Sequence, residues 1–382
     1  MPSVLDFLNT LYQPECGLWK FSDSSAPSLL ATGQACLALE HAGELRSLPA
    51  DQLKDVGDAL LSRQRTDGSF EEPLIASKDA ALSHGPNYAQ DEINTFCQQT
   101  LHALGVETTC PRTWNDKRDQ PDGVCQYFES ISWENPWRDS NYVMFLLSQL
   151  TYDYVIHGKK EYEITVHSAL DWLDEKQDPK TGMWQGKSNL TPRNAMAAWF
   201  HFTFYYQFFD RKMNYLDQIV DTCLGLQTEG GLFGNPGFGS AIGQTCLDYD
   251  AIDLLVLSAF GRDYRRDEVT RCLESAIGGL ELLRNQDGGW ANAKYSRQSW
   301  LTNRVARRMP TFISQRTGYL KSDETTYNVC ASFMRAKSCD SNPFSTWFRP
   351  LAISVANKFL DRPCTATFRS LPFLGYHSGL SK

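Results

Sequence analysis

The chain has no stretch approaching 18 uninterrupted apolar residues, which excludes a membrane-spanning helix. Its start, MPSVLDFLNTLYQPECG, lacks a basic segment followed by a long apolar run. No export signal is read there, and a cytoplasmic location is expected. Basic residues are in deficit: 37 Lys and Arg stand against 45 Asp and Glu, a net charge of −8. That balance argues against general nucleic-acid binding. There is no C-x-x-C, no paired Cys/His spacing of the zinc type and no metal spacing among the seven histidines. The eleven cysteines are therefore read as reduced and mostly buried, and no metal or cofactor is expected. G-x-S-x-G and a phosphate-binding glycine loop are missing, which removes support for serine-nucleophile and nucleotide chemistry. Asp-Asp does not occur either, so Mg²⁺-assisted ionisation of a diphosphate loses its usual ligand set.

What is present is a repeat. A phrase joining Gln to a glycine turn and usually an aromatic begins at Gln13, Gln64, Gln120, Gln177, Gln227 and Gln286, at spacings of 51, 56, 57, 50 and 59 residues. Representative forms are Gln177-Asp-Pro-Lys-Thr-Gly182-Met-Trp184 and Gln286-Asp287-Gly288-Gly289-Trp290. Upstream of the last, Val269, Cys272, Leu273, Ala276, Ile277, Leu280 and Leu283 recur at helical spacing. The glycine suits the left-handed residue that ends a helix, and the Gln can satisfy free backbone groups at a neighbouring helix end.

About 55 residues per unit accommodates two helices and two loops. Apolar runs place inner helices at 27–42, 88–105, 139–157, 191–208, 246–260 and 343–360. Outer helices ending at the Gln phrases fall at 4–13, 49–64, 161–177, 213–227 and 265–286, with a degenerate one expected before Gln120. Thr191-Pro192 reads as a cap followed by a first-turn proline.

These phrases resemble the QW repeats of squalene–hopene cyclases and the related turns of protein prenyltransferase β subunits, over residues from about 10 to 290. The resemblance implies an all-α (α/α)6 toroid of about six helical hairpins, with ligands bound at one end. Residues 1–382 are taken as one such toroid, with 294–341 as an insertion or lid. Other (α/α)6 proteins, including carbohydrate-active enzymes, share this architecture.

In such a toroid the inner helices are parallel and their N-termini converge on one mouth, bringing helix dipoles and first-turn side chains around a common cavity. The polar starts are Asp91-Glu92, Arg138-Asp139-Ser-Asn141, Arg193-Asn194, Asp248-Tyr249-Asp250 and Ser345-Thr-Trp347-Phe-Arg349. Any one of them could be no more than a cap; together they mark a candidate substrate site that includes Asp91, Arg138, Asp139, Asn141, Arg193, Asn194, Tyr249, Trp347 and Arg349. The densest is Cys246-Leu-Asp248-Tyr-Asp250-Ala-Ile-Asp253. Clustered carboxylates in a low-dielectric cavity repel, so one retains a proton and can act as a general acid.

This segment also resembles the Asp-x-Asp-Asp motif of class II terpene cyclases. Carried over, Asp250 is the acid and Asp248 its partner, with Ala251 standing where that family has a further Asp and Asp253 as a substitute one turn on. Trp199-Phe200-His201-Phe202-Thr-Phe204-Tyr205-Tyr206 bears aromatics on every face. Trp199 and its neighbours could stabilise a cation, stack on sugar rings or simply pack. The stretch 294–321 carries seven Lys or Arg and no acid, and reads as an anion clamp or a solvated loop.

Three functions follow. The first is proton-initiated cyclisation of a terpene or meroterpene, with peripheral membrane contact for a lipid substrate. The second is a carbohydrate-active hydrolase, lyase or epimerase on an acidic glycan, using two opposed carboxylates such as Asp250 with Asp139 or Asp91. The third is a non-catalytic binding toroid. An open groove lined by Trp137, Trp184 and Trp300 favours sugar, and a closed apolar pocket favours terpene. All three expect a small-molecule partner, except where the toroid serves as a subunit of a larger complex.

Overall fold

The structure is a computed structural model that describes residues 2–75, 88–184, 191–233, 245–293, 324–327, 331–364 and 366–378. Twelve α-helices occur among the described residues. They are α1 Val4–Asn9, α2 Leu29–His41, α3 Ala50–Leu61, α4 Tyr88–Leu104, α5 Pro121–Ser130 and α6 Pro136–Ile156. The second half adds α7 Tyr162–Lys176, α8 Pro192–Phe208, α9 Leu216–Leu226, α10 Cys246–Ala259, α11 Arg266–Glu281 and α12 Pro343–Phe359. None of the described helices is long and apolar enough to cross a membrane.

The even-numbered helices form a closed ring. Each packs on the next in the order α2, α4, α6, α8, α10, α12, and α12 returns to α2. They are buried on almost every face: in α10 every residue is buried except Leu257. The odd-numbered helices are amphipathic and surround this ring; α3 buries only Val56, Gly57 and Leu60. Six outer–inner hairpins therefore close into an (α/α)6 toroid. The inner helices run parallel. Thr245 and Ser345 meet at the starts of α10 and α12, and His41 at the end of α2 meets Ser354 late in α12.

The repeat phrase is the joint between hairpins. Gln227 donates to its own turn at Gly231 O (2.8 Å) and to Cys272 O of the next outer helix (2.7 Å). Gln177 does the same with Gly182 O and Asn214 O, and Gln64 with Gly68 O and Cys110 O. Close approach explains the glycine: a Cβ on Gly231 would lie 2.3 Å from Ser275 O of α11. The phrase aromatics Trp19, Phe70, Trp184, Phe233 and Trp290 are all buried.

Two phrases differ from the sequence reading. Gln120 is the N-cap of α5, with Pro121 in the first turn, so the missing outer helix follows this Gln instead of preceding it. In the last repeat Arg284 pairs with Trp290 as Gln64 pairs with Phe70, so Arg284 occupies the Gln position and Gln286 lies in the turn. Thr191 holds the N-cap position of α8 but makes no side-chain capping bond. Ser28, Asn135 and Asn342 do cap their inner helices.

Strands are few. β1 Tyr12–Gln13 pairs with β2 Leu18–Trp19, and β3 Glu324–Thr326 pairs with β4 Arg335–Lys337, both antiparallel. The β3–β4 hairpin docks at the start of α2, where Ser25 accepts from the Arg335 N–H at 3.0 Å and Ser24 donates to Glu324 at 2.9 Å. The basic residues of 294–321, and Trp300 with them, lie outside the described residues.

Candidate active site at the helix N-termini

Three carboxyl groups of α10 enter three different environments. Asp248 is buried, forms an ion pair with Arg349 of α12 and accepts the Phe233 N–H at 2.7 Å. Arg349 also donates to Asn292 O at 3.1 Å. This pair ties α10, α12 and two repeat turns together. Asp253 is buried and paired with His377. Asp250, between them, is fully buried, with the Cys246 thiol of the preceding turn beside its carboxyl.

Burial pushes the Asp250 carboxyl well above the usual carboxylate range; the Cys246 thiol one turn earlier opposes this, while the charges of Asp253 and Asp248 add to it. Burial thus favours the protonated form of the Asp250 carboxyl. Tyr249 turns its ring against Phe200 and Phe348, and its hydroxyl accepts the Gly375 N–H at 3.1 Å.

The ring order sets α4 opposite α10. Glu92 of α4 is buried and accepts from the Tyr327 hydroxyl at 3.1 Å. Tyr327 follows β3, packs on Phe344 with centroids 4.8 Å apart, and lies within electrostatic range of Cys246. Burial, then the Glu92 charge, raises the Tyr327 phenol well above its ordinary value. Tyr327 thus bonds Glu92 of α4 and lies within electrostatic range of Cys246 at the start of α10.

The remaining predicted residues divide. Asp91 points away from its neighbour Glu92. It pairs with Arg118 at 2.8 Å, and that guanidinium is held over Trp114 and Tyr127. Asp139 accepts from Arg138 (2.5 Å) and from the Asn135 N–H (3.1 Å), a capping arrangement at the start of α6. Asn141 donates back to carbonyls of its own helix, and Asn194 reaches Asn135 at 3.5 Å; both are half-buried, as is Arg193. Trp199 packs on Phe202 and Tyr206, whose hydroxyl bonds Asp174 of α7, so Trp199 belongs to the layer between the two rings. Trp347 is buried against Phe96, Phe348 and Phe373. The structure thus brings Asp248, Asp250, Asp253, Tyr249, Arg349 and Trp347 to the inner ring around α10, whereas Asp91, Arg138, Asp139, Asn141 and Trp199 are engaged elsewhere. Trp184, expected as a groove wall, is core: its ring meets Trp133 at 4.2 Å and Trp172 at 5.9 Å.

The opposite end of the bore is filled by the C-terminal tail. Phe373, fully buried, meets Phe96, Phe204 and Trp347. Arg369 donates to Gln99 Oε1 at 2.7 Å and pairs with Glu40 at 3.0 Å. Glu92 enters the sequence pattern only as the neighbour of Asp91, and Tyr327 and His377 do not enter it. Glu92 could have been found as the second acid of the Asp91-Glu92 helix start; the other two lie beyond the repeats.

No family model and no curated protein sequence matches the chain. Two solved structures are similar in outline. A protein from Actinoplanes is 14% identical with a TM-score of 0.46, covering 92% of this chain and 97% of its own. A possible member of the GH105 family from Salmonella enterica serovar Paratyphi A is 12% identical with a TM-score of 0.40, covering 94% of this chain and 93% of its own. At these levels neither likeness carries a function over to this chain.

Proposed function

We propose that this protein is a carbohydrate-active enzyme that acts on a sugar bound at the N-terminal mouth of the toroid, with Asp250 as general acid and Glu92 as the opposed base. The observation that carries the reading is the placement of Glu92 and Asp250 on helices facing each other across the ring, in contrasting surroundings. Burial raises the Asp250 carboxyl above its ordinary range, and Glu92 accepts from the Tyr327 hydroxyl. Two carboxyl groups of unlike protonation, one on each side of a substrate, are what acid/base attack on a glycosidic carbon or proton transfer at a sugar carbon requires. Amides and hydroxyls are frequent in the first turns of α4, α10 and α12 and the adjoining turns: Gln90, Asn94, Thr245, Asn292 and Ser345. Polar groups of this kind suit a hydroxyl-rich ligand.

A panel of neutral and uronate-containing oligosaccharides, followed by mass spectrometry, tests the proposal. Asp250→Asn and Glu92→Gln should each reduce turnover by about 10²-fold or more. Wild-type turnover in either folded variant refutes the pairing.

One observation favours a second reading, proton-initiated cyclisation of a polyprenyl substrate. Asp250, whose carboxyl burial raises, follows Tyr249 in the chain, and the Tyr249 ring meets Phe200 and Phe348, so a proton donor would lie near aromatic surroundings. A long apolar chain, however, needs the bore volume that Phe373 and its aromatic partners occupy. The two readings separate on Glu92→Gln, which should abolish sugar turnover and spare cyclisation.

A further inference from the structure

Buried amides of α4 and α6 are paired across the inner ring. Asn94 donates to Gln149 at 3.1 Å, and Gln99 donates to Ser148 at 3.1 Å and accepts from Arg369 at 2.7 Å. Gln149 also donates to Phe145 O at 3.1 Å. Gln34 of α2 departs from this pattern. Its side chain is fully buried, and neither Oε1 nor Nε2 has a hydrogen-bond partner among the described residues. A buried amide without partners carries a free-energy cost that an apolar side chain of the same length does not.

The residues around Gln34 fix the side of α2 on which it lies. Thr32 accepts the Trp19 N–H at 2.9 Å, so its side of the helix meets the repeat turn. Gly33 faces α4: a Cβ there would lie 3.1 Å from Thr100 and 3.2 Å from the Phe96 ring. His41 is seven residues beyond Gln34 and therefore on nearly the same face. Its ring reaches Thr367 of the tail that fills the bore and Ser354 of α12. Gln34 thus lies on the bore side of α2, among the buried residues Leu30, Leu37 and Ala38. Phe96 comes one turn after Glu92 on α4, and its contact with Gly33 sets the depth of Gln34. Helical side chains lean toward the N-terminus of their own helix, which for α2 is the mouth.

We propose that Gln34 is a substrate-binding residue, whose amide donates to one hydroxyl and accepts from a neighbouring hydroxyl of the sugar held at the mouth. This deepens, and rests on, the reading of the mouth as a sugar site. An uncharged group with donors at one end and an acceptor at the other matches a pair of adjacent hydroxyls and offers no counter-charge to a carboxylate or phosphate. The edge of the sugar that enters deepest is therefore neutral and hydroxyl-bearing, and an acidic substituent belongs at the outer end.

A residue kept for a ligand has a signature that a residue kept for the fold lacks. Gln34→Met retains the length of the side chain and removes its polar atoms. In calorimetry without ligand this variant should melt about 1–4 °C above wild type. Gln99→Met, which removes a paired amide, is the control and should melt below wild type. With the best substrate from the oligosaccharide panel, Gln34→Met should raise KM about 10-fold, with a smaller change in kcat. If Gln34→Met melts at or below the wild-type temperature, or does not fold, the amide serves the fold and the proposal is overturned. If it melts higher with KM unchanged, while Glu92→Gln and Asp250→Asn lose turnover, the role given to Gln34 falls alone. If those two variants keep wild-type turnover, the sugar site itself falls, and Gln34 with it.

Discussion

Ring closure can be tested at one glycine. Gly288, in the turn of the last repeat phrase, has φ +94°, and a Cβ there would lie 2.2 Å from Ser3 O and 2.9 Å from Pro2 O, just before α1. Gly288→Ala therefore meets two penalties. An L-residue in the left-handed region costs about 1–2 kcal/mol. Forcing the first and last hairpins apart adds about 1–3 kcal/mol, the usual cost of overpacking. Gly261 is the control, because its φ is +70° and nothing lies within 4 Å of its Cβ position. Gly261→Ala meets only the first penalty, and the reduced freedom of the unfolded chain is common to both variants. The difference, about 1–3 kcal/mol, is the contribution of the seam. With an unfolding entropy of about 2.1 cal/mol/K per residue over 382 residues, roughly 0.8 kcal/mol shifts the melting temperature by one degree. Differential scanning calorimetry should place Gly288→Ala about 1–4 °C below Gly261→Ala. Equal melting temperatures refute a packed seam between the first and last hairpins.

Other outcomes follow from the same geometry. Arg349→Met and Asp248→Asn each leave one buried charge or acceptor without its partner and should cost about 3–5 kcal/mol in denaturant titrations, while the double variant should recover a large part of that loss. Phe373→Ala should cost about 3–5 kcal/mol, because the tail is part of the core; a loss under about 1 kcal/mol contradicts that placement. Burial lowers His201 to about 3, below its unfolded value, so its contribution to stability is complete above about pH 6.5 and is lost as pH falls toward 3. His201→Gln should reduce the pH dependence of unfolding free energy in that window by about 1.4 kcal/mol per pH unit, and an unchanged slope refutes a buried neutral imidazole.

Much of the scaffold was legible in the sequence, because helical hairpins announce themselves through apolar periodicity and turn glycines. The inner helix expected at 343–360 is Pro343–Phe359, and the one at 191–208 is Pro192–Phe208. Where periodicity was short, the reading slipped. α5 buries only Val124 and Phe128, too little for a repeat to be seen, and Gln120, which the repeat pattern places in a turn, starts a helix. Arg284 could not be recognised as the Gln equivalent, because strand pairing and not residue type reveals it. The site was legible in part. The crowding of acids at the start of α10 is plain in the sequence, but how each acid is partnered depends on residues far away in the chain. Asp91 is drawn off by Arg118, Asp139 by Arg138 and Asn135, and Asp253 by His377. Tyr327 reaches Glu92 across 235 positions of sequence, and no local pattern encodes that meeting.

The most direct test of the account is a crystal structure of the protein with a bound oligosaccharide or unreactive sugar analogue. The account places a sugar ring between the Glu92 and Asp250 carboxyl groups, in contact with Tyr327, at the N-terminal mouth. A sugar bound only on the outer helices, with Glu92 and Asp250 untouched, contradicts it.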